Sequence, residues 1–230
     1  MCGRFAITTP SDAMAQLFSA QPSNDLPKVP NYNVCPTNPV HVVQCGENGR
    51  RLVSMRWGFL PHWYSSPSDG PLLINARAET LAQKPAFAEA CRQRRCLVPA
   101  SGFFEWTKAD DGSRQPWYFQ RRDGGILAFA AIWQSWGGET EAIQTCAIVT
   151  TAANEHVAAI HHRMPLVLEP DVWAKWLGEE GHGAASLMQP AAEDILCYHP
   201  VDPQVNSNRA EGEALIEPFH AADTPPGRLL

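Results

Sequence analysis

The sequence predicts an α+β fold: a single domain with a mainly antiparallel, barrel-like β core and short flanking helices. Three observations carry that expectation. Strand-like runs follow one another through the middle of the chain. Helical patterns are short and inserted at intervals instead of alternating with every strand. No repeat or linker divides the 230 residues. Strands in runs with occasional helices mark α+β architecture. An apolar content of 44% suffices for one sizeable core.

The elements are read in order. "TTPSDAMAQLFSA" (8–20) predicts a helix, with Thr9 as cap, Pro10 in the first turn and Asp12 completing a capping pattern. The five prolines of 21–39 predict an irregular, extended loop. "VHVVQC" and "RLVSMRWGFL" are strands joined by the turn "GENG", and "PHWYSSPSDGP" is a loop carrying two aromatics. "LAQKPAFAEACRQR" is a helix started or broken near Pro85. Four strand runs follow: "RCLVPASGFFEW", "PWYFQRR", "ILAFAAIWQSW" and "AIQTCAIVT", linked by turn-forming stretches. Then come a helix at "AANEHVAAI", a strand at "RMPLVL", a helix at "PDVWAKWL" and a strand near "ILCYHPV". The domain is expected to span 1–217, with 218–230 as a flexible tail.

Composition narrows the function classes. No run of about 18 apolar residues predicts a membrane span, and Arg4, Thr8, Thr9 and Asp12 interrupt any signal-peptide pattern. A cytoplasmic protein is expected. Its seven cysteines are odd in number and show no disulfide framework. Cys91 and Cys96 lack a second such pair and read as buried thiols, so neither metal nor cofactor is expected. The net charge of −6 argues against an indiscriminate polyanion binder, yet it conceals an asymmetry. Residues 1–138 carry 14 Lys and Arg against 10 Asp and Glu, whereas 139–230 carry 4 against 14. Arginine outnumbers lysine 14 to 4, and its planar fork suits phosphate. A compositional bias towards arginine would give the same ratio.

Four stretches join reactive polar groups to apolar neighbours: "MCGRF" (1–5), "INARAE" (74–79), "GFFEW" (102–106) and "IHHRMP" (160–165). Singly, each has an ordinary explanation: Asn75 capping a turn, Glu105 on a strand surface, His161 at a helix end. Glu105 resists it most. Strand alternation places it with Phe103 on one face, and Phe104 with Trp106 on the other. A carboxylate among aromatics tends towards a raised pKa, useful for proton transfer near neutrality.

Together these motifs, with "YNVCP" (32–36), "WGFLP" (57–61) and "HPV" (199–201), closely resemble the SRAP family, the SOS-response-associated peptidase family of abasic-site processing proteins. The resemblance covers nearly the whole chain. It implies covalent crosslinking to abasic sites in single-stranded DNA through Cys2 after removal of Met1. It further implies that Asn75 holds the Cys2 adduct and that Glu105 and His161 shuttle protons. Arg4, Arg77 and Arg163 would contact phosphate or sugar, and Trp63, Tyr64 and Trp106 would be aromatic DNA contacts. Tyr64 stands where the family pattern has tryptophan, and Cys35 where it has a small residue. The expected partners are abasic single-stranded DNA and replication-fork proteins. The protein is expected to be a monomer, nucleoid-associated when bound to DNA.

The chemistry fits an N-terminal cysteine. Its α-amine, with a reference pKa of about 7.7–8.0, can condense with an aldehyde to an imine. The neighbouring thiol can then close a five-membered thiazolidine, a ring that neither a lysine nor an internal cysteine can make. Two other classes share parts of the pattern. N-terminal-nucleophile amidohydrolases also begin Met-Cys-Gly, but the chain lacks a glycine-rich segment of the "NGEIYN" kind. A purely non-covalent DNA-binding module would bind reversibly and release with salt.

Overall fold

The computed structural model describes residues 2–138 and 142–219. In chain order its strands are β1 (Phe5–Ile7), β2 (Ala20–Pro22), β3 (Asn31–Val34), β4 (Pro39–Gly46), β5 (Gly49–Trp57), β6 (Asn75–Arg77) and β7 (Arg95–Ala100). They continue with β8 (Gly102–Lys108), β9 (Arg114–Arg121), β10 (Leu127–Trp136), β11 (Ile143–Ala152), β12 (Arg163–Pro165) and β13 (Leu196–Pro200). The α-helices are α1 (Ser11–Leu17), α2 (Ala88–Gln93), α3 (Glu155–Ala158) and α4 (Trp173–Leu177).

The barrel-like core is a ring. Strands β11, β10, β7, β4 and β5 pair in succession, each antiparallel to the next. β5 then meets β11 in parallel, Arg56 opposite Thr145 and Trp57 opposite Cys146, and this pairing closes the ring. β10 is buried without alternation from Leu127 to Ile132, as expected of a strand covered on both faces. β6 and β12 also pair with β11, in parallel and antiparallel sense respectively.

A second antiparallel sheet runs β13-β9-β8-β1-β3. The chain crosses between sheets where β7 ends and β8 begins, so the run "RCLVPASGFFEW" is two strands, not one. Gly102 sits at that corner because a Cβ there would overlap the Tyr118 ring and the Phe119 carbonyl. Alternation along β8 holds: Phe103 joins the main core and stacks on Phe119 at 4.8 Å, whereas Phe104 joins a smaller cluster with Ala6, Tyr118 and Val201.

Three local expectations need correction. The helix expected over 8–20 is confined to α1, and its N-terminus lacks a side-chain cap, so the Thr9 capping pattern does not form. The proline-rich stretch 21–39 is not wholly irregular, since it contributes part of β2, all of β3 and the first residue of β4. The helix expected over 152–160 is a single turn, α3, capped by Asn154 through its acceptance of the Val157 N–H. Of the tail expected over 218–230, residues 220–230 lie outside the described residues, and the Phe219 N–H donates to the Pro200 carbonyl. No helix among the described residues is long and apolar enough to cross a membrane.

Candidate active site

The edges where the two sheets approach one another bring the four motifs together. Cys2 is fully buried immediately before β1. Asn75, at the start of β6, donates from Nδ2 to the Cys2 carbonyl at 2.8 Å. β6 is held in place by its parallel register with β11, Asn75 opposite Ile148. Asn75 Oδ1 is buried without a hydrogen-bond partner among the described residues. Glu105, 2% exposed, projects from β8, beside β1. His161 follows α3 and brings Nδ1 to 3.9 Å from Glu105 Oε1.

A pocket of about 510 Å³ opens over Glu105 and His161, lined also by Gly3, Arg4, Trp106, Arg114 and Asn206, whereas Cys2 and Asn75 lie outside its lining. Trp106 is fixed there by its indole N–H, which donates to Asn206 Oδ1 at 2.6 Å. The Arg114 guanidinium lies 5.4 Å from the centre of the Trp106 ring.

Burial sets the electrostatics. It pushes the Glu105 carboxyl up to about 7, outweighing nearby positive groups that pull it down. The same cause, aided by the negative charge of Glu105, drives the Cys2 thiol far above its ordinary range, so this environment disfavours a thiolate. His161 is lowered, first by burial. The preceding helix α3 has only four residues and supplies no extended dipole to oppose that desolvation. The Arg163 backbone N–H points at His161 Nδ1, and the Arg163 carbonyl lies as close, each at 3.0 Å. The N–H can only donate and the carbonyl only accept, so the Arg163 backbone suits Nδ1 either as acceptor or as N–H donor and holds the ring in place in both protonation patterns.

Arg4 and Arg163 serve as internal braces. Arg4 donates to Asn33 Oδ1 at 2.6 Å, to the Val205 carbonyl at 2.9 Å and to Asn208 Oδ1 at 2.5 Å. Arg163 forks onto Glu79 at 2.6 and 3.0 Å and reaches the Thr150 carbonyl at 2.7 Å. Arg77 is exposed on β6, and neither it nor Arg163 lines the pocket. Trp63, half exposed, and Tyr64 sit on the loop between β5 and β6, also outside the lining. Sequence reasoning missed Arg114, Asn206, Asn33, Asn208 and Glu79. Glu79, the last residue of "INARAE", and Asn33, within "YNVCP", had a signal in lying inside quoted motifs. Among the described residues no group of three His, Cys, Asp or Glu gathers to ligate a metal.

The family model described as SOS response associated peptidase (SRAP) matches residues 1–208. The chain belongs to this family. It is 34% identical over 225 residues to the abasic site processing protein YoqW of Bacillus subtilis, covering 94% of this chain and 99% of that one. It is 33% identical to the abasic site processing protein YedK of Escherichia coli, covering 95% of this chain and 100% of the relative. A crystal structure of a Bacteroides thetaiotaomicron protein superposes with a TM-score of 0.83 at 24% identity, over 95% of this chain and 100% of that one. In this SRAP chain the pocket is carried mainly by the second sheet: Glu105 and Trp106 stand on β8, Arg114 on β9, and Gly3 and Arg4 lead into β1.

Proposed function

We propose that the protein recognises abasic sites in single-stranded DNA and, once Met1 is removed, links to them covalently through Cys2. The observation that carries this reading is the grip of Asn75 on the Cys2 carbonyl beside Glu105 and His161. It fixes the backbone of the one residue whose amine and thiol must both reach the same carbon. The names of its relatives support the class of lesion.

The α-amine of Cys2 attacks the aldehyde carbon of the ring-opened sugar and gives a carbinolamine. Loss of water gives an imine. The thiol then adds to the imine carbon, and its proton passes to the imine nitrogen. The net change is aldehyde plus aminothiol to thiazolidine plus one water. Ring closure removes the imine before it can promote β-elimination and strand cleavage. Because the thiol is held protonated, closure needs a proton acceptor at the moment of attack. Glu105, with a pKa near 7, serves in either direction: as acid when water leaves, as base when the thiol adds. His161 donates a ring proton to the sugar oxygen as the ring opens.

The test is incubation with a strand carrying one abasic site, followed by a denaturing gel. A retarded, denaturation-resistant band is expected for the wild type and none for Cys2→Ala or for protein with an uncleaved N-terminal tag. Cys2→Ser keeps the amine and is expected to give a product only after borohydride reduction. A normal band from Cys2→Ala refutes the reading, and glutaminase activity without any band would favour an amidohydrolase.

A further inference from the structure

The pocket contains a cation that no expectation assigned. Arg4 lines it but is 8% exposed, and its donors end on Asn33, Val205 and Asn208. Arg163 is turned onto Glu79, and Arg77 lies outside the lining. Arg114 both lines the pocket and is exposed. Among the described residues, none of its guanidinium N–H groups donates to a protein acceptor and no carboxylate pairs with it. It is not adrift: it rests over Trp106, whose indole Asn206 fixes from the side. A guanidinium stacked on an aromatic face is oriented without using its hydrogen-bond donors. Those donors remain available for a bidentate acceptor, and Arg–phosphate pairing has that geometry.

We propose that Arg114 is the phosphate-binding cation of the pocket over Glu105 and His161, seating a backbone phosphate next to the lesion above Trp106. This rests on the reading of the pocket as a site for abasic single-stranded DNA. Arg114 does not take part in bond making. It holds the strand so that the sugar falls between Cys2 and Glu105, and its charge contributes to the field at Glu105 alongside His162.

Binding is measured by fluorescence anisotropy on a single strand containing a tetrahydrofuran residue, an abasic analogue without an aldehyde. No covalent step can then contribute. Arg114→Gln is expected to weaken binding several-fold and to reduce the slope of log K against log salt by about 0.7, the share of one phosphate on a single strand. Arg114→Lys should keep the slope and lose part of the affinity, because an ammonium neither forks nor stacks as well. Arg92→Gln, on exposed α2, should change neither. Thermal melts of Arg114→Gln should match the wild type. Arg114→Gln with wild-type affinity and slope overturns the proposal. If the wild type binds the analogue but forms no adduct with a true abasic strand, the crosslinking reading fails while the role of Arg114 stands. If the wild type does not bind the strand at all, both fall.

Discussion

Arg4 at the pocket and Arg163 outside its lining are buried to the same degree and braced in opposite ways. Arg4, 8% exposed, ends on neutral acceptors: two asparagine side chains and a carbonyl. Arg163, 9% exposed, ends on the Glu79 carboxylate and on Thr150. Amide oxygens satisfy the guanidinium's donors but leave its charge in place. A carboxylate satisfies the donors and cancels the charge. At an effective dielectric of ~20, unit charges 4 Å apart still interact by about 4 kcal/mol, so an uncancelled guanidinium matters to an anion that comes that close. The Arg4 brace therefore leaves a positive charge at the pocket, and the Arg163 brace, outside its lining, is electrically quiet. Arginine count alone cannot distinguish a cation that recruits DNA from one that holds the protein together.

The contrast can be broken most severely through Glu105, which faces His161 at 3.9 Å and belongs to neither brace. Glu105→Gln is expected to slow adduct formation by about 10²–10⁴, the usual effect of losing an acid–base group, and to suppress strand cleavage with it. Stability gives a second readout. The folded-state pKa of about 7 exceeds the ordinary value of 4.5, so the fold retains a proton that the unfolded chain has released. The stabilisation is complete below the ordinary value and is lost as pH rises through about 7. Glu105→Gln should flatten that part of a plot of melting temperature against pH. Wild-type rates and an unchanged pH slope would make Glu105 structural.

Next in size is the uncancelled brace. Arg4→Met removes hydrogen bonds that tie β1 to β3 and to the segment at 205–208, and should destabilise the protein by on the order of 2–3 kcal/mol. It should also lower the salt dependence of strand binding, because it removes an unneutralised charge. Denaturant titration and anisotropy measure the two effects separately. An unchanged salt slope would show that Arg4 only braces.

The smallest effect sharpens the contrast from the other side. Glu79 is half exposed and Arg163 is not, so Glu79→Gln should cost little stability. It restores the charge of Arg163, which should steepen the salt dependence of strand binding. It should also lower the His161 pKa further, since Arg163 already acts on it in that direction. An NMR titration of the His161 ring tests this directly. No movement of the titration would mean that Glu79 does not govern the field at His161.

The sequence made the strands legible because their signals are local. Alternation through "GFFEW" and the apolar run "ILAFAAIW" need only their own neighbours to be read. Ring closure was hidden, because a parallel meeting of Trp57 with Cys146 leaves no short-range pattern in either segment. The helix near His161 was overestimated for a related reason: alanine-rich propensity favours a longer run, but Asn154 starts the turn late and β12 pulls the chain away. At the site, Cys2, Asn75, Glu105 and His161 were legible through motifs. Their bracing was not, because Asn33, Asn208 and Glu79 act through contacts distant in sequence. Arg114 follows a turn with no motif around it, and only the packing on Trp106 singles it out.

The reach of the Arg4 brace has a consequence for the chain while it is being made. Its partners at Val205 and Asn208 lie 201 and 204 residues downstream. At about 5–20 residues per second on the ribosome, they emerge on the order of 10–40 s after Arg4. Until then the wall of the pocket cannot assemble, and the start of the chain stays open to solvent. An aminopeptidase thus has that interval in which to take Met1 from a nascent end that is not yet folded away. The order of synthesis would expose Cys2, the proposed nucleophile, to the proposed maturation first and enclose it afterwards.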